Sequence, residues 1–516
     1  MARIGTNVPS LIARSNFNKA NADLDVRLQR LATGVRINRG ADDPAGLIVS
    51  QRIGSEVSGL EQAVKNSERA SSVIATGEAA LAEIADLLNS ITGLVVEAAN
   101  TGALSDEERR ANQLQIDSAI ASITRISNSA SFGGLKLLNG ELDYVLSGLA
   151  TSAISKAQVF GANFAGQSNL AVKVDTVASA QTGRLYLRGD YASGAFGNGA
   201  VQSSVTLEIA GSKGVTVLQF LSGRSLAEVV SGVNAFRLAT GVSAALVNGN
   251  ANSGVVFSST EYGSDRFVSV TRQGGPSNGG FFQTYQLANN ASVPATVDIP
   301  ALIAANTLVA ANRDSGRDVV AVVNGNLATG RGLSISLPSS SSLALDLLLN
   351  EDFATQNAQS TTFRITGGGA LYQLGGTVNV TQQINVGLPS VAASRLGGTL
   401  ISGQLQFLSS LASGGSSDLN SRQFENATSI LDAARNEVSI IRGRLGALEK
   451  NTLETNVRSL QAAIENLTSS QSRIRDADFA AESSALTRAQ ILSSAATSTL
   501  SLANSRAQNV LQLLRQ

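Results

Sequence analysis

A seven-residue repeat runs through the first long polar-apolar pattern of the chain: Ile53, Leu60, Ser67, Ile74, Leu81, Leu88 and Val95, apolar at every position but Ser67. Val57 and Val64 supply a second seam early, and Ile84, Ile91 and Ala98 supply it later. This is a coiled-coil-like repeat with one register shift, and it predicts a helical rod over residues 52–100, about 70 Å long at ~1.5 Å per residue. Gly102 ends it. Ser105 and Glu108 then have the spacing of a capping box, which starts a second helix with apolar positions at Leu114, Ile116, Ile120, Ile123 and Ile126. Phe132-Gly133-Gly134 and Asn139-Gly140 predict turns and a change to β structure.

The far end repeats the theme. Phe424, Leu431, Val438 and Leu445 fall seven apart, with Ala427, Ala434, Ile441 and Leu448 between them. After a shift the stripe resumes at Leu453, Val457, Leu460, Ile464 and Leu467. Residues 447–516 contain neither Gly nor Pro, which predicts long continuous helix. Neither rod buries its stripe alone. The expected fold class is therefore α+β: the N- and C-terminal helices pair into a coiled-coil-like rod, with β-rich inserted domains in the middle of the chain. The rod core is assigned to Ile53, Leu60, Ile74, Leu81, Leu88, Val438, Ile441, Leu445 and Leu448.

Most of the 49 glycines fall between residues 132 and 415, among Ser, Thr, Val and Asn, which reads as strands and turns. Residues 214–220 alternate as a strand. Residues 225–235 place Leu226, Val229, Val230 and Val233 on one helical face, and residues 240–245 and 255–258 read as further strands. Residues 332–337 and 362–366 predict strands of a second unit, with Gly274-Gly275 and Gly279-Gly280 marking the link.

Charge sharpens the reading of the two ends. Residues 1–40 hold seven basic and two acidic side chains, and residues 472–516 hold five basic and three acidic. Net charge does not draw two positive ends together, so their pairing is assigned to apolar stripes: Phe17, Leu24, Leu28, Leu31 and Val35 against Ile491, Leu492, Leu500, Val510, Leu511 and Leu514. Isolated helices of this kind are marginal in water, so the ends are expected to stay loose until another copy of the chain supplies apolar surface.

Composition removes several chemistries. Histidine and cysteine are both absent, which excludes zinc sites, Cys- or His-based nucleophiles and disulfides. Lys and Arg total 39 and so do Asp and Glu, a balance that argues against a nucleic-acid binder. No run of 18 apolar residues is present, so no membrane insertion is expected. The first residues lack a basic-then-apolar signal peptide, which suggests the cytoplasm or export by a route without a cleaved signal. No cofactor is implied. A carboxylate-only enzyme is still open.

Leu31-Ala-Thr-Gly34-Val-Arg36-Ile-Asn38 followed by Asp42-Asp43-Pro-Ala-Gly46 resembles the N-terminal motif of bacterial flagellins. Phe132-Gly-Gly134 with Leu137-Leu138-Asn139-Gly140 resembles that family's turn after its inner helical region. Ser472-Arg473-Ile474 with Asp476, Asp478, Phe479, Ala480 and Glu482 is similar to the C-terminal motif, as are Arg488-Ala489-Gln490-Ile491-Leu492, Ala503-Asn504 and Gln508-Asn509-Val510-Leu511. The resemblance implies a non-enzymatic structural subunit that polymerises with itself into the extracellular flagellar filament after type III export. It implies hook-associated junction and cap proteins as partners, and an export chaperone on the C-terminal helix near Ile491–Leu514.

The implied division is 1–44 and 472–516 for the inner tube, 45–145 and 411–471 for the rod, and 146–290 and 291–410 for two variable β-rich domains. The strand–helix–strand order near 214–258 resembles an insertion module of flagellins and hook-associated proteins. Arg36, Asn38, Asp42 and Asp43 lie at the joint between end helix and rod, where charge pairs or helix-end contacts fix the angle. Ser90 and Gln115 stand where flagellins recognised by the vertebrate innate receptor have an arginine and a glutamate, which implies weak activation. Two other readings stay open: the hook–filament junction protein, which shares both termini, and a secreted enzyme or adhesin carried on the β zone, including a filament subunit with an adhesive outer domain.

Overall fold

The computed structural model describes residues 6–513, apart from 103, 165, 188–190, 193–194, 197–198, 202, 275–281, 289–296, 339–342 and 402. Helices α1 (Val8–Thr33), α2 (Pro44–Ala98) and α3 (Asp106–Ser129) open the chain. Four short helices lie among the strands: α4 (Leu226–Ala235), α5 (Arg237–Thr240), α6 (Ile299–Ala304) and α7 (Glu351–Ala354). Helices α8 (Phe424–Leu448), α9 (Glu454–Arg475) and α10 (Phe479–Leu513) close it. The α+β class with helices at both ends stands. The chain forms two compact units, one of residues 1–71, 372–383 and 448–516, the other of residues 72–371 and 384–447.

In the first unit, α1 pairs with α10, and the start of α2 runs antiparallel to α9. Gln471 Nε2 donates to Ser50 O at 3.0 Å and Asn456 Nδ2 to Ser67 Oγ at 3.2 Å. Helix α2 begins at Pro44, earlier than the apolar repeat alone indicates, because proline at the first helical position has no N–H to lose. The register shift expected in the C-terminal stripe is a π turn, Glu449–Leu453, which inserts extra backbone between α8 and α9. The continuous helix expected over 447–516 is broken. Asp476 is extended (φ −77°, ψ 150°), and its backbone pairs with Val35 instead of continuing α9.

In the second unit, Ile74, Leu81, Ile84, Leu88, Ile91 and Val95 of α2 and Ile430, Leu431, Val438, Ile441 and Leu445 of α8 are buried. Each such side chain stabilises the fold by about 2 kcal/mol. Ile53, Leu60 and Leu448, which fall in the first unit, are only half-buried. Helix α3 carries the capping box at Ser105 and Glu108, and buries Ile116, Ile120 and Ile123, while Leu114 faces solvent. Residues 411–423, expected as helix, are short turns instead. Gln113 of α3 holds them: it donates to Leu411 O at 2.9 Å and accepts from Leu419 N at 2.8 Å. Ser90 and Gln115 are exposed. Helix α2 also contains an 18-residue stretch whose length and composition alone suit a membrane span, although polar residues interrupt it.

The β zone does not divide at 290/291. Its eight-stranded antiparallel sheet runs Tyr144–Ser147, Ser360–Gly368, Leu170–Ala178, Val320–Val323, Asn326–Arg331, Ser334–Leu337, Leu343–Leu349 and Ile154–Ala162, using strands from both sides of that boundary. Sheet pairing depends on register and face, not on order in the chain. Between Ala178 and Val320 the chain forms a further four-stranded and a five-stranded sheet. They share a core of Leu207, Ile209, Phe257 and Val268 with Leu226, Val229 and Val233 of α4. Gly274 ends a strand of this part, whereas Gly275, Gly279 and Gly280 of the expected link lie outside the described residues.

The sheet is tied to α8 by the buried Glu437. Its carboxylate accepts from Lys156 Nζ at 2.8 Å, from Gly397 N at 2.9 Å and from Gln158.

Candidate functional site: the paired chain ends

The α1–α10 pair is antiparallel, and its seam is mainly small or polar. Asn7 Nδ2 donates to Ala503 O at 3.2 Å, Ser10 Oγ to Asn504 Oδ1 at 2.7 Å, and Ser493 Oγ to Asn21 Oδ1 at 2.7 Å. Ala13, Ala489 and Ala503 are buried. Small residues at a helix contact let the two axes come close. Glu482, also buried, accepts from Arg27 Nη1 and Arg30 Nη1, each at 2.9 Å. Burial pushes its carboxyl up, but the two guanidinium hydrogen bonds outweigh this and hold it below the usual glutamate range. The pairing assigned to apolar stripes alone is therefore corrected. Both ends are net basic, yet one acidic residue stands where two arginines reach it.

The apolar residues divide into two sets. Phe17, Leu24, Leu31 and Leu500 are half-buried in the pair. Leu28, Ile491 and Leu492 are not in the seam: Ile491 is 65% exposed and Leu492 53%. Leu11, Ile12, Phe479 and Leu502 are exposed as well. Leu514 lies outside the described residues, as do the side chains of Val510 and Leu511.

The joint follows α1. Gly34 closes that helix in the left-handed conformation (φ 73°), its N–H donating to Arg30 O at 2.9 Å. The next residues lie along the break between α9 and α10. Arg36 N donates to Arg475 O at 2.7 Å, and Ala477 N donates to Gly34 O at 3.0 Å. The Arg36 guanidinium donates to Ile474 O at 2.6 Å and caps the end of α9.

Asn38 Nδ2 donates to Val35 O at 3.1 Å. Asp42 accepts from the backbone N–H groups of Arg39 and Asn38 at 3.0 and 2.9 Å, which hold its carboxyl low. Asp43 caps α2 by accepting from Gly46 N at 2.9 Å and stands 3.9 Å from Arg36. Backbone and helix-end contacts thus fix this joint more than ion pairs do. Asp478 caps α10 in the same way, accepting from Ala480 N and Ala481 N at 3.0 and 3.1 Å.

Comparison with known proteins bears on both ends. The model of the bacterial flagellin N-terminal helical region matches residues 4–143, and that of the C-terminal helical region matches residues 428–514. Phase 1 flagellin of Salmonella naestved is 30% identical over 542 residues, covering 99% of each chain. The chain belongs to the bacterial flagellin family. B-type flagellin of Pseudomonas aeruginosa is 29% identical, again over 99% of both chains. Among solved structures, the flagellar junction protein of Legionella pneumophila matches 83% of this chain and 99% of its own, at 12% identity and a TM-score of 0.27, too low to carry an argument. As a flagellin, the protein is a structural subunit of the extracellular flagellar filament; it polymerises with itself and is not an enzyme.

The joint of this flagellin makes one sharp demand on its sequence. A Cβ at Gly46 would stand 2.5 Å from Asp43 Oδ2 and 2.8 Å from the buried Ile37 Cδ1. Gly46→Val is expected to destabilise the first unit by about 1–3 kcal/mol through overpacking. A fall in the melting temperature of the helical circular dichroism signal checks this, and an unchanged melt refutes it.

Proposed function

We propose that the α1–α10 pair is the principal self-assembly surface of this filament subunit, and that its folding is completed by packing against the same pair in neighbouring copies. One observation carries the reading. The pair closes on itself through alanines, amides, hydroxyls and an Arg–Glu–Arg cluster, and leaves Leu28, Ile491 and Leu492 in solvent. Exposed apolar rows on marginal helices gain stability only when another surface removes them from water. Repeated head to tail by a rotation that does not close, such a contact generates a helical polymer.

In this reading residues 1–44 and 472–516 lie innermost, the rod segments 45–145 and 411–471 lie around them, and the β zone within 146–410 projects outward apart from residues 372–383, which belong with the chain ends. Export proceeds without a cleaved signal. Before export the exposed row at Ile491 and Leu492 suits a chaperone with a helix-binding groove. Hook-associated junction and cap proteins meet the polymer at its two ends. The departures at Ser90 and Gln115 favour weak activation of the vertebrate receptor.

Limited trypsin digestion tests the central claim. Arg36 and Arg39 are exposed in the single chain on the segment between α1 and α2, and Arg475 is exposed at the last position of α9, where the chain breaks before α10. Monomer is expected to be trimmed at both ends, near residues 40 and 472, while polymer resists. Equal cleavage of the two forms would contradict the reading.

A further inference from the structure

Residues 372–383 belong to the compact unit that holds both chain ends, although they come from the β zone in sequence. They are seated there by backbone contacts. Asn456 Nδ2 of α9 donates to Leu374 O at 2.8 Å. A Cβ at Gly59 of α2 would stand 2.7 Å from Gly376 O, so the loop and the helix meet main chain to main chain.

The tip is ordered by its own polar groups. Gln382 Oε1 accepts from Thr377 N at 3.0 Å and from Thr377 Oγ1 at 2.9 Å. Asn379 Oδ1 accepts from Gln382 N at 2.9 Å and from Thr381 Oγ1 at 2.7 Å, and Gln373 Nε2 donates to Thr377 O at 2.8 Å. These bonds leave the aliphatic side chains of the tip facing out. Val378 is 86% exposed and Val380 40%.

We propose that this tip is an intersubunit knob, with Val378 and Val380 packing on a second copy of the chain. The proposal rests on the self-assembly reading above and extends that surface within the same unit. A loop held in one shape before contact loses little entropy on docking, so a small apolar anchor on it counts for more than one on a mobile loop. A non-closing head-to-tail contact also needs two different patches on each copy. This unit supplies a second one apart from the knob, at Ile48 and Val49 of α2, both exposed. They precede Gly59, where the knob is seated, by about 16 Å along the helix.

Val378→Asp in the full chain tests this by the critical concentration for seeded growth. The expected result is a rise of at least about tenfold, with monomer circular dichroism unchanged because the side chain is almost fully exposed among the described residues. Leu327→Asp is the control: Leu327 is also highly exposed, on the eight-stranded sheet, and its variant should grow like the wild type. Since the chain has no cysteine, Val378→Cys gives a second readout. Its maleimide labelling should be at least about tenfold slower in filaments than in monomer. Wild-type growth by Val378→Asp, equal loss in Leu327→Asp, or equal labelling of filament and monomer overturns the knob. Any of these seen beside normal wild-type filaments leaves the subunit reading in place. Failure of the wild type to polymerise would instead sink that reading.

Discussion

Glu482→Gln is expected to raise the critical concentration for filament growth by about 30-fold at neutral pH. The substitution keeps the shape of the side chain but removes the carboxylate that Arg27 and Arg30 share, while Arg27 keeps Asp23, whose Oδ1 accepts from its Nε at 3.2 Å. Both guanidiniums are mostly buried, with 27% and 20% of their side chains exposed, against 9% for the Glu482 side chain. Leaving these cations without their shared carboxylate costs on the order of 2 kcal/mol, less than a fully buried pair because they retain some water and Arg27 retains Asp23. Two kcal/mol is about a 30-fold change in an equilibrium constant. The pH dependence follows in sign. The Glu482 carboxyl is held below its ordinary range in the folded pair. Its contribution is therefore fully present above the unfolded value of about 4.3 and is lost as pH falls through the lower folded value. Sedimentation of polymer against pH should show an acid-side loss in the wild type that is flattened in Glu482→Gln. A variant that keeps the wild-type acid slope would assign that loss to other groups.

That cluster also shows where sequence reading stops. The heptads of α2 and α8 were legible because a seven-residue apolar repeat has few other meanings, and the Ser105–Glu108 cap because its spacing is local. Pairing between the ends is not legible when charge is summed over each segment. A sum hides register, and register places one glutamate between two arginines one turn apart. The break before α10 was missed for lack of Gly or Pro, yet Asp478 four residues before Glu482 carried a local signal, since aspartate is a favoured N-cap. In the β zone the strands at 215–220, 334–337 and 360–368 were readable by alternation. Their partners were not, because the segment from 179 to 319 leaves one sheet and returns to it, and no local pattern records which distant strand lies alongside. The joint motif was recognisable by resemblance. That Arg36 caps α9, rather than chiefly pairing with Asp43, is a matter of distance alone.

Leu24→Asp and Ile491→Asp should both abolish filament growth, for reasons that the monomer separates. Leu24 is half-buried within the pair, and the hydrogen bonds on either side of it set it across from the turn that holds Ala489. A carboxylate there meets the partner helix of its own subunit, so the variant monomer should lose helicity and become more sensitive to trypsin at the joint. Leu500→Asp belongs to the same class. Ile491 is exposed in the single chain, and aspartate at that position should leave monomer circular dichroism and digestion unchanged. Its effect comes on assembly. Losing the burial of one isoleucine forfeits about 2 kcal/mol, and placing an unpaired carboxylate in a closed contact costs about 3 kcal/mol more. Together these raise the critical concentration by more than about a thousandfold, beyond any workable protein concentration. Normal filaments from Ile491→Asp would remove the exposed row from the interface. Loss of growth with an undisturbed monomer is the outcome that only an intersubunit role produces, since a residue that served its own fold would announce itself before any filament formed.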